Sequence, residues 1–226
     1  MAGGRTSDAL VSHVDLPATL LEAGGLGNLP GAAGQSLMPL LDGRARFARP
    51  YVLAGLERHT YCRPDGATYP CRSVRARDFL YIRNLAPERW PTGGPEFVSS
   101  NKTFHGDIDG APVKDELLDP ANGKRFAREL ALCAGKRPGE ELYRLEGDPD
   151  QVKNLAGEPE YRAALERMRG YLEMEMEATG DPRAEGRDPW QAYPYRQTTG
   201  YGASFNSTLS EERRKAAREG AAHKPE

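Results

Sequence analysis

The 226-residue sequence has few hydrophobic and few aromatic residues. Only 38% of it is hydrophobic and 8% aromatic, and it contains 25 glycines and 18 prolines. This composition predicts a loop-rich protein with a modest core. No apolar run approaches the ~20 residues of a membrane-spanning helix. The net charge of −2 at pH 7 offers no excess of basic residues. We therefore predict neither a membrane nor nucleic acid as a partner.

Cysteine is also scarce, and the three cysteines lack metal-ligand spacing. Cys62 and Cys71 are close enough in sequence for a disulfide in an oxidising compartment, but reduced thiols are the alternative, and both remain open. Residues 1–6 lack the apolar core of a secretory signal. The chain is thus expected to be either cytosolic or part of a longer precursor, and its localisation is unknown.

Local patterns predict a few strands and a hairpin. Tyr51 to Gly55 has the composition of a buried strand, and the turn at 76–78 joins strands at Tyr69–Arg75 and Phe79–Arg83 into a hairpin. Together with a strand from Glu141 to Leu145 they predict a small antiparallel sheet.

Two helices have clear sequence patterns. The first is expected to begin with Asp15 as its N-cap and to end at Gly24. The second spans Tyr161 to Met176, where apolar residues recur at steps of three and four. We interpret that stripe as the face packed on the sheet. Residues 210–226 form a charged run, which predicts a frayed or solvated helix.

Several segments resemble one known family. The run from Glu141 to Tyr161, ELYRLEGDPDQVKNLAGEPEY, resembles the closing segment of the sulfatases. Ser7–Leu21 and Gly34–Leu41 are similar to a helix and a "SL.PLL" turn of that family. Arg49–His59 and Tyr69–Arg75 look most like its sulfamidase branch, the heparan N-sulfatases. The similarity extends over roughly residues 5 to 190 and corresponds to the C-terminal part of a sulfatase, within the alkaline phosphatase-like superfamily.

The resemblance implies an α+β fold. We expect a small antiparallel sheet with a packed C-terminal helix, preceded by a remnant helix of the larger sulfatase α/β domain. The corresponding domains are residues 1–48 (the remnant), 49–182 (the C-terminal subdomain) and 183–226 (a polar extension). Because the remnant helix lacks the sheet that it covers in the family, its apolar face is expected to be exposed and to mediate association.

Sulfatases hydrolyse sulfate from sulfated sugars with a formylglycine made from the cysteine of a Cys-x-Pro-x-Arg motif and with a bound calcium ion. The run Cys62-Arg-Pro-Asp-Gly66 resembles that motif but has glycine in place of the arginine, so we interpret Cys62 as a loop cysteine. Asp107 and Asp109 are the nearest approach to calcium ligands, and a solvated turn is the preferred interpretation. The resemblance therefore implies no catalytic residue, no metal ligand and no cofactor in this chain.

The substrate-facing rim is the part of the site that the chain is expected to retain. Glu57, Arg58 and His59 follow the Tyr51 strand at the position where sulfamidase-like enzymes place polar residues at the pocket mouth. Arg72 is the fourth candidate, since a guanidinium pairs with sulfate or carboxylate. These residues predict a sulfated sugar as ligand. A solvated strand end and ordinary surface arginines are the structural alternatives.

Three functional hypotheses remain open at this point. In the first, the chain is the C-terminal part of a glycosaminoglycan-degrading sulfatase similar to N-sulfoglucosamine sulfohydrolase. In the second, it is a non-catalytic fragment or glycan-binding remnant. In the third, it associates with a separate chain that supplies the nucleophile. The resemblance places the chain among the hydrolases, but the chain alone is predicted to be inactive. Full-length relatives are often periplasmic, secreted or lysosomal.

Overall fold

A computed structural model describes residues 4, 6–46, 49–99, 103–190 and 193. These residues form an α+β fold with a four-stranded antiparallel sheet, as the sequence predicts. The strands and helices, in chain order, are α1 (Asp15–Ala23), α2 (Met38–Leu41), β1 (Tyr51–Leu56), β2 (Cys71–Ala76), β3 (Phe79–Asn84), α3 (Pro112–Leu118), α4 (Ala127–Ala134), β4 (Glu140–Arg144) and α5 (Arg162–Ala178).

The sheet has the strand order β1-β2-β3-β4. The β2–β3 hairpin turns at residues 77 and 78, as expected. Its core-facing residues are fully buried, with Val74 and Tyr81 at 0% exposure. Strand β1 is less buried than the sequence predicts, because it lies at the edge of the sheet. Its residues Leu53 and Leu56 are 39% and 44% exposed.

Helix α5 packs on this sheet through the predicted apolar stripe. Met168 and Leu172 are fully buried, and the ring of Tyr171 stacks on that of Tyr51 with 4.5 Å between centroids. Just before the helix, the ring of Tyr161 meets that of Phe79 edge to face at 6.1 Å. The stripe is therefore a structural face.

Helix α1 begins differently from the prediction. Asp15 is the first helical residue rather than the N-cap, and no side chain caps the helix. Its fully buried carboxylate accepts hydrogen bonds from the backbone amides of Ser12 (3.0 Å) and Gln35 (2.9 Å), and from Arg49. The aspartate is used to hold three separate segments together.

The described residues divide into two compact units. Unit 1 consists of the described residues within 1–54, 73–82 and 142–172, and unit 2 of those within 55–72, 83–141 and 173–193. The domain limits at 48 and 182 stay a prediction. The predicted helix over 210–226 lies outside the described residues. No described helix is long and apolar enough to cross a membrane.

Candidate functional site

The rim candidates lie in unit 2, where the chain leaves β1. Glu57 and Arg58 are half-buried, and the side chain of His59 is 63% exposed. Gly55, on β1, lies beside the Arg72 side chain, and a Cβ there would come within 3.1 Å of the Arg72 Cδ. The absence of a side chain at position 55 thus leaves room for Arg72 to extend along the strand toward Glu57.

Glu57 is held between two arginines. Arg72 Nη2 donates to Glu57 Oε1 at 2.7 Å, and Arg183 Nη2 donates to Oε2 at 2.5 Å. Arg72 Nε also donates to Asp181 Oδ2 at 2.6 Å. Glu57 is therefore engaged in internal salt bridges with both arginines. Three elements distant in sequence, the end of β1, strand β2 and the turn after α5, are tied together by this carboxylate.

The electrostatics of this network favour its charged state. Although burial by itself lowers the pKa of an arginine, hydrogen bonds to Asp181 and Glu57 raise the pKa of Arg72. Arg72 in turn lowers the pKa of Asp181. Arg183 also pairs with Asp188 at 3.0 Å. Two guanidinium groups therefore face three carboxylates, and the network carries no positive excess with which to attract a sulfate group.

The side chains of Arg58 and His59 contact residues outside the Glu57 network. The Arg58 guanidinium lies 5.4 Å from the ring centroid of Trp190, which is 39% exposed, and Nη1 donates to the Tyr193 carbonyl at 3.2 Å. His59 Nδ1 lies 3.4 Å from Asp107 Oδ1. The exposed imidazole of His59 is suited to hydrogen-bonding sugar hydroxyls, and the exposed Trp190 ring beside Arg58 is suited to packing on a sugar face.

Asp107 is an internal residue, which corrects the solvated turn expected over Asp107 and Asp109. Its carboxylate accepts from the Thr60 amide at 2.9 Å and from Arg63 Nη2 at 2.9 Å. Although burial raises its pKa, the hydrogen bonds from Thr60 and the charge of Arg63 lower it overall. Asp109 is exposed. Asp107 therefore anchors the loop that carries His59 and is unavailable as half of a calcium site.

Cys62 lies in the interior of this loop. It is fully buried, and burial raises the pKa of its thiol to about 11. All three cysteines are free. Among the described residues, no group of three or more His, Cys, Asp or Glu side chains is placed to hold a metal ion. Neither the calcium nor the formylglycine implied by the resemblance fits the residues described, and no step through either is derived.

The known proteins that are similar to this chain are sulfatases. No protein-family model matches it. An ulvan-active sulfatase of Formosa agariphila is 32% identical to it over 181 residues, which cover 78% of this chain and 27% of the relative. A second ulvan-active sulfatase of that organism is 29% identical over 183 residues, covering 80% and 32% respectively. These relatives support the sulfatase family for this chain, over part of their own length.

The chain spans only about a third or less of the length of those relatives. The solved structures similar to it include a putative sulfatase from Bacteroides thetaiotaomicron (24% identity, TM-score 0.48, covering 77% of this chain and 27% of that one). Another was solved in complex with its substrate D-glucosamine-2-N,6-O-disulfate (18% identity, TM-score 0.49, covering 81% and 27%). The sulfamidase branch stays a prediction.

The sequence missed several partners of the candidate residues. Asp181 and Arg183 lie 109 and 126 residues from the side chains they hold, Arg72 and Glu57. Both stand in a polar stretch after α5, where no periodic pattern marks them. One signal was available: Asp181 precedes a proline and begins a turn, where an aspartate carboxylate is held in place by a backbone amide.

Proposed function

We propose that this chain is the C-terminal portion of a sulfatase that hydrolyses sulfate from sulfated sugars. The observation that carries the proposal is the 32% identity over 181 residues to an ulvan-active sulfatase. The motif resemblance over roughly residues 5 to 190 agrees with it. N-sulfoglucosamine is the finer proposal for the sugar, and it depends on the sulfamidase-like segments at 49–59 and 69–75.

Within such an enzyme, the chain would supply part of the rim of the sugar pocket. His59 and Arg58 are the proposed sugar contacts, because His59 is exposed and Arg58 lies beside exposed Trp190. Glu57 and Arg72 are proposed to act indirectly, by fixing the loop that presents them. Their mutual ion pair is 2.7 Å long and largely buried, which is consistent with a structural role for both residues.

The chain alone is predicted to be inactive. The purified protein should neither hydrolyse a chromogenic aryl sulfate nor release sulfate from N-sulfoglucosamine, because buried Cys62 disfavours the thiolate and no described cluster holds a metal. Sulfate release is measured with and without calcium. Calcium-dependent turnover that disappears in Cys62→Ala would contradict this prediction.

The proposed role is tested in a chimera. Residues 5–190 replace the matching segment of the Formosa ulvan-active sulfatase, and sulfate release from ulvan is followed. We expect the chimera to be active and His59→Ala to raise its KM by about two- to tenfold, as expected for the loss of one hydrogen bond to the sugar. Exposed His13 provides the matched control, and His13→Ala should leave KM unchanged.

The same chimera distinguishes a residue that contacts the sugar from residues that stabilise the loop. Glu57→Gln should lower the melting temperature, because it leaves Arg72 and Arg183 half-buried beside a neutral side chain. His59→Ala should leave the melting temperature unchanged. A KM that is unchanged in His59→Ala, together with a lower melting temperature, would assign the Glu57–His59 run to structure alone. An inactive but folded chimera would contradict the proposed function itself.

A further inference from the structure

A cleft of about 370 Å³ opens in unit 1, away from the rim residues in sequence. It forms where the β2–β3 turn, the end of β4 and the residue before α5 meet. Its volume lies within the range of small-molecule binding sites, about 300–1,000 Å³. Its lining residues are Arg77, Asp78, Phe79, Arg144, Glu146 and Tyr161.

Two aromatic rings form the apolar part of this cleft. Phe79 and Tyr161 meet edge to face with 6.1 Å between their centroids, and the Arg167 guanidinium lies 5.9 Å from the Phe79 centroid. Both rings are only partly buried. An aromatic ring with an accessible face offers an apolar surface of the size of a pyranose ring, while the Tyr161 hydroxyl adds a polar edge.

The charged groups around the rings favour an anion. Among the lining residues, the arginines Arg77 and Arg144 balance the carboxylates Asp78 and Glu146. Arg167, which does not line the cleft but pairs with Asp78 and lies over the Phe79 ring, brings one further positive charge beside it. Glu146 pairs with Arg144 at 2.9 Å and Asp78 pairs with Arg167 at 2.6 Å. These pairs are exposed, so water screens them and an incoming anion displaces them at low cost.

The guanidinium groups also have donors to spare. Each carries five N–H groups in a planar fork, and a carboxylate that pairs with it occupies at most two. An arginine in such a pair therefore still has N–H groups with which to meet a sulfate or carboxylate oxygen. The combination of aromatic faces and arginine forks differs from the Glu57 network, where carboxylates outnumber guanidiniums.

We propose that this cleft binds a sugar unit bearing a sulfate or carboxylate group. The ring packs on Tyr161 and Phe79, and the anionic group accepts hydrogen bonds from Arg77 and Arg144. The inference rests on the cleft's own chemistry and not on the proposed sulfatase activity. If both hold, the cleft gives the enzyme a second point of attachment to a sulfated polymer.

The test is calorimetric titration of the full chain at low salt with D-glucosamine-2-N,6-O-disulfate, unsulfated D-glucosamine and inorganic sulfate. We expect the disulfated sugar to bind at least about tenfold more tightly than either other ligand, since only it uses both rings and arginines. Arg77→Gln with Arg144→Gln should weaken its binding by about tenfold or more through the loss of charge-assisted hydrogen bonds. Tyr161→Leu should weaken it by removing the ring.

The matched control is Arg75→Gln, since Arg75 is an exposed arginine of the same hairpin that does not line the cleft. It should weaken the binding much less than the cleft substitutions do, because Arg75 does not line the cleft and makes no hydrogen bond to a ligand held there. Thermal unfolding verifies that each variant is folded.

Equal binding of inorganic sulfate and the disulfated sugar would overturn the proposal, as would the absence of binding. The proposal would also be overturned if the double variant Arg58→Gln/His59→Ala lost binding while the double variant Arg77→Gln/Arg144→Gln kept it, because the ligand would then bind at the rim.

Discussion

At the scale of single residues, arginine fixes much of the described polar structure. Arg49 holds Asp15, Arg63 holds Asp107, and Arg72 holds both Glu57 and Asp181. The planar guanidinium matches a carboxylate in geometry and retains its charge when partly buried. A loop-rich chain with little apolar material thus obtains fixed cross-links between segments that are distant in sequence.

The acid dependence of stability follows from these pairs. Arg49 lowers the pKa of Asp15 from 3.8 to about 2, so the folded state holds this carboxylate charged where the unfolded state protonates it. The stabilisation, about 2 kcal/mol for the fully buried carboxylate, is present above pH ~4 and is lost as the pH falls toward 2. Urea unfolding between pH 2 and 7 measures it.

Asp15→Asn should be less stable than the parent at pH 7 and should lose less stability on acidification. The remaining acid loss is assigned to Asp107 and Asp181, whose pKa values are also lowered. Asp8→Asn, at an exposed position, is the control and should follow the parent at every pH. If Asp15→Asn also follows the parent, the Asp15–Arg49 pair does not stabilise the fold.

At the scale of elements, α5 contributes two of the largest fully buried apolar side chains of the described residues. Met168 and Leu172 have 0% exposure, and Met176 has 5%. Their spacing gives a single buried face, while Met174 on another face of the helix is 53% exposed. The stability of the sheet and helix therefore depends on a few large side chains.

Truncation of one of these side chains should be costly. Met168→Ala is expected to lower the free energy of unfolding by about 2–5 kcal/mol, since it removes buried apolar contacts and leaves a cavity. Met174→Ala offers a matched control in the same helix and should change it by less than about 0.5 kcal/mol. Chemical denaturation monitors both. Equal effects of the two substitutions would show that α5 does not pack as described.

At the scale of the whole molecule, the N-terminal part of unit 1 exposes an apolar surface. Leu16 and Leu20 of α1 are 47% and 72% exposed, and Val11, Val14, Leu26 and Leu29 are at least 49% exposed. Apolar patches of this kind mark interaction sites or sites of self-association. This exposure agrees with the expected remnant helix, whereas association through it stays a prediction.

The expected association is measured by sedimentation velocity over a range of protein concentrations. Leu16→Glu with Leu20→Glu should shift the chain toward the monomer, because two charges oppose burial of the patch. Val113→Glu is the control, since Val113 is 67% exposed on α3, in unit 2. A concentration dependence that is unchanged by the α1 substitutions but abolished by Val113→Glu would place the association elsewhere.

The sequence alone predicted the elements whose signals are local. The stripe of α5 and the β2–β3 hairpin were found because helical and strand periods are written into neighbouring residues. The prediction of a buried β1 was wrong because burial of a strand depends on its place in the sheet. Asp15 was likewise expected to cap a helix, while its partner Arg49 lies 34 residues further along the chain.

The family, the α+β class and the candidate residues Glu57, Arg58, His59 and Arg72 were determined by the sequence itself, through motifs and order along the chain. Only the tertiary structure decided which side chains these residues contact. It placed Arg183, 126 residues away, against Glu57, and it brought Tyr161 and Arg144 to the same cleft as the 77–79 turn. The physical reason is that periodicity encodes the conformation of a segment, whereas the choice of partner for a charge depends on how distant segments meet when the core is buried.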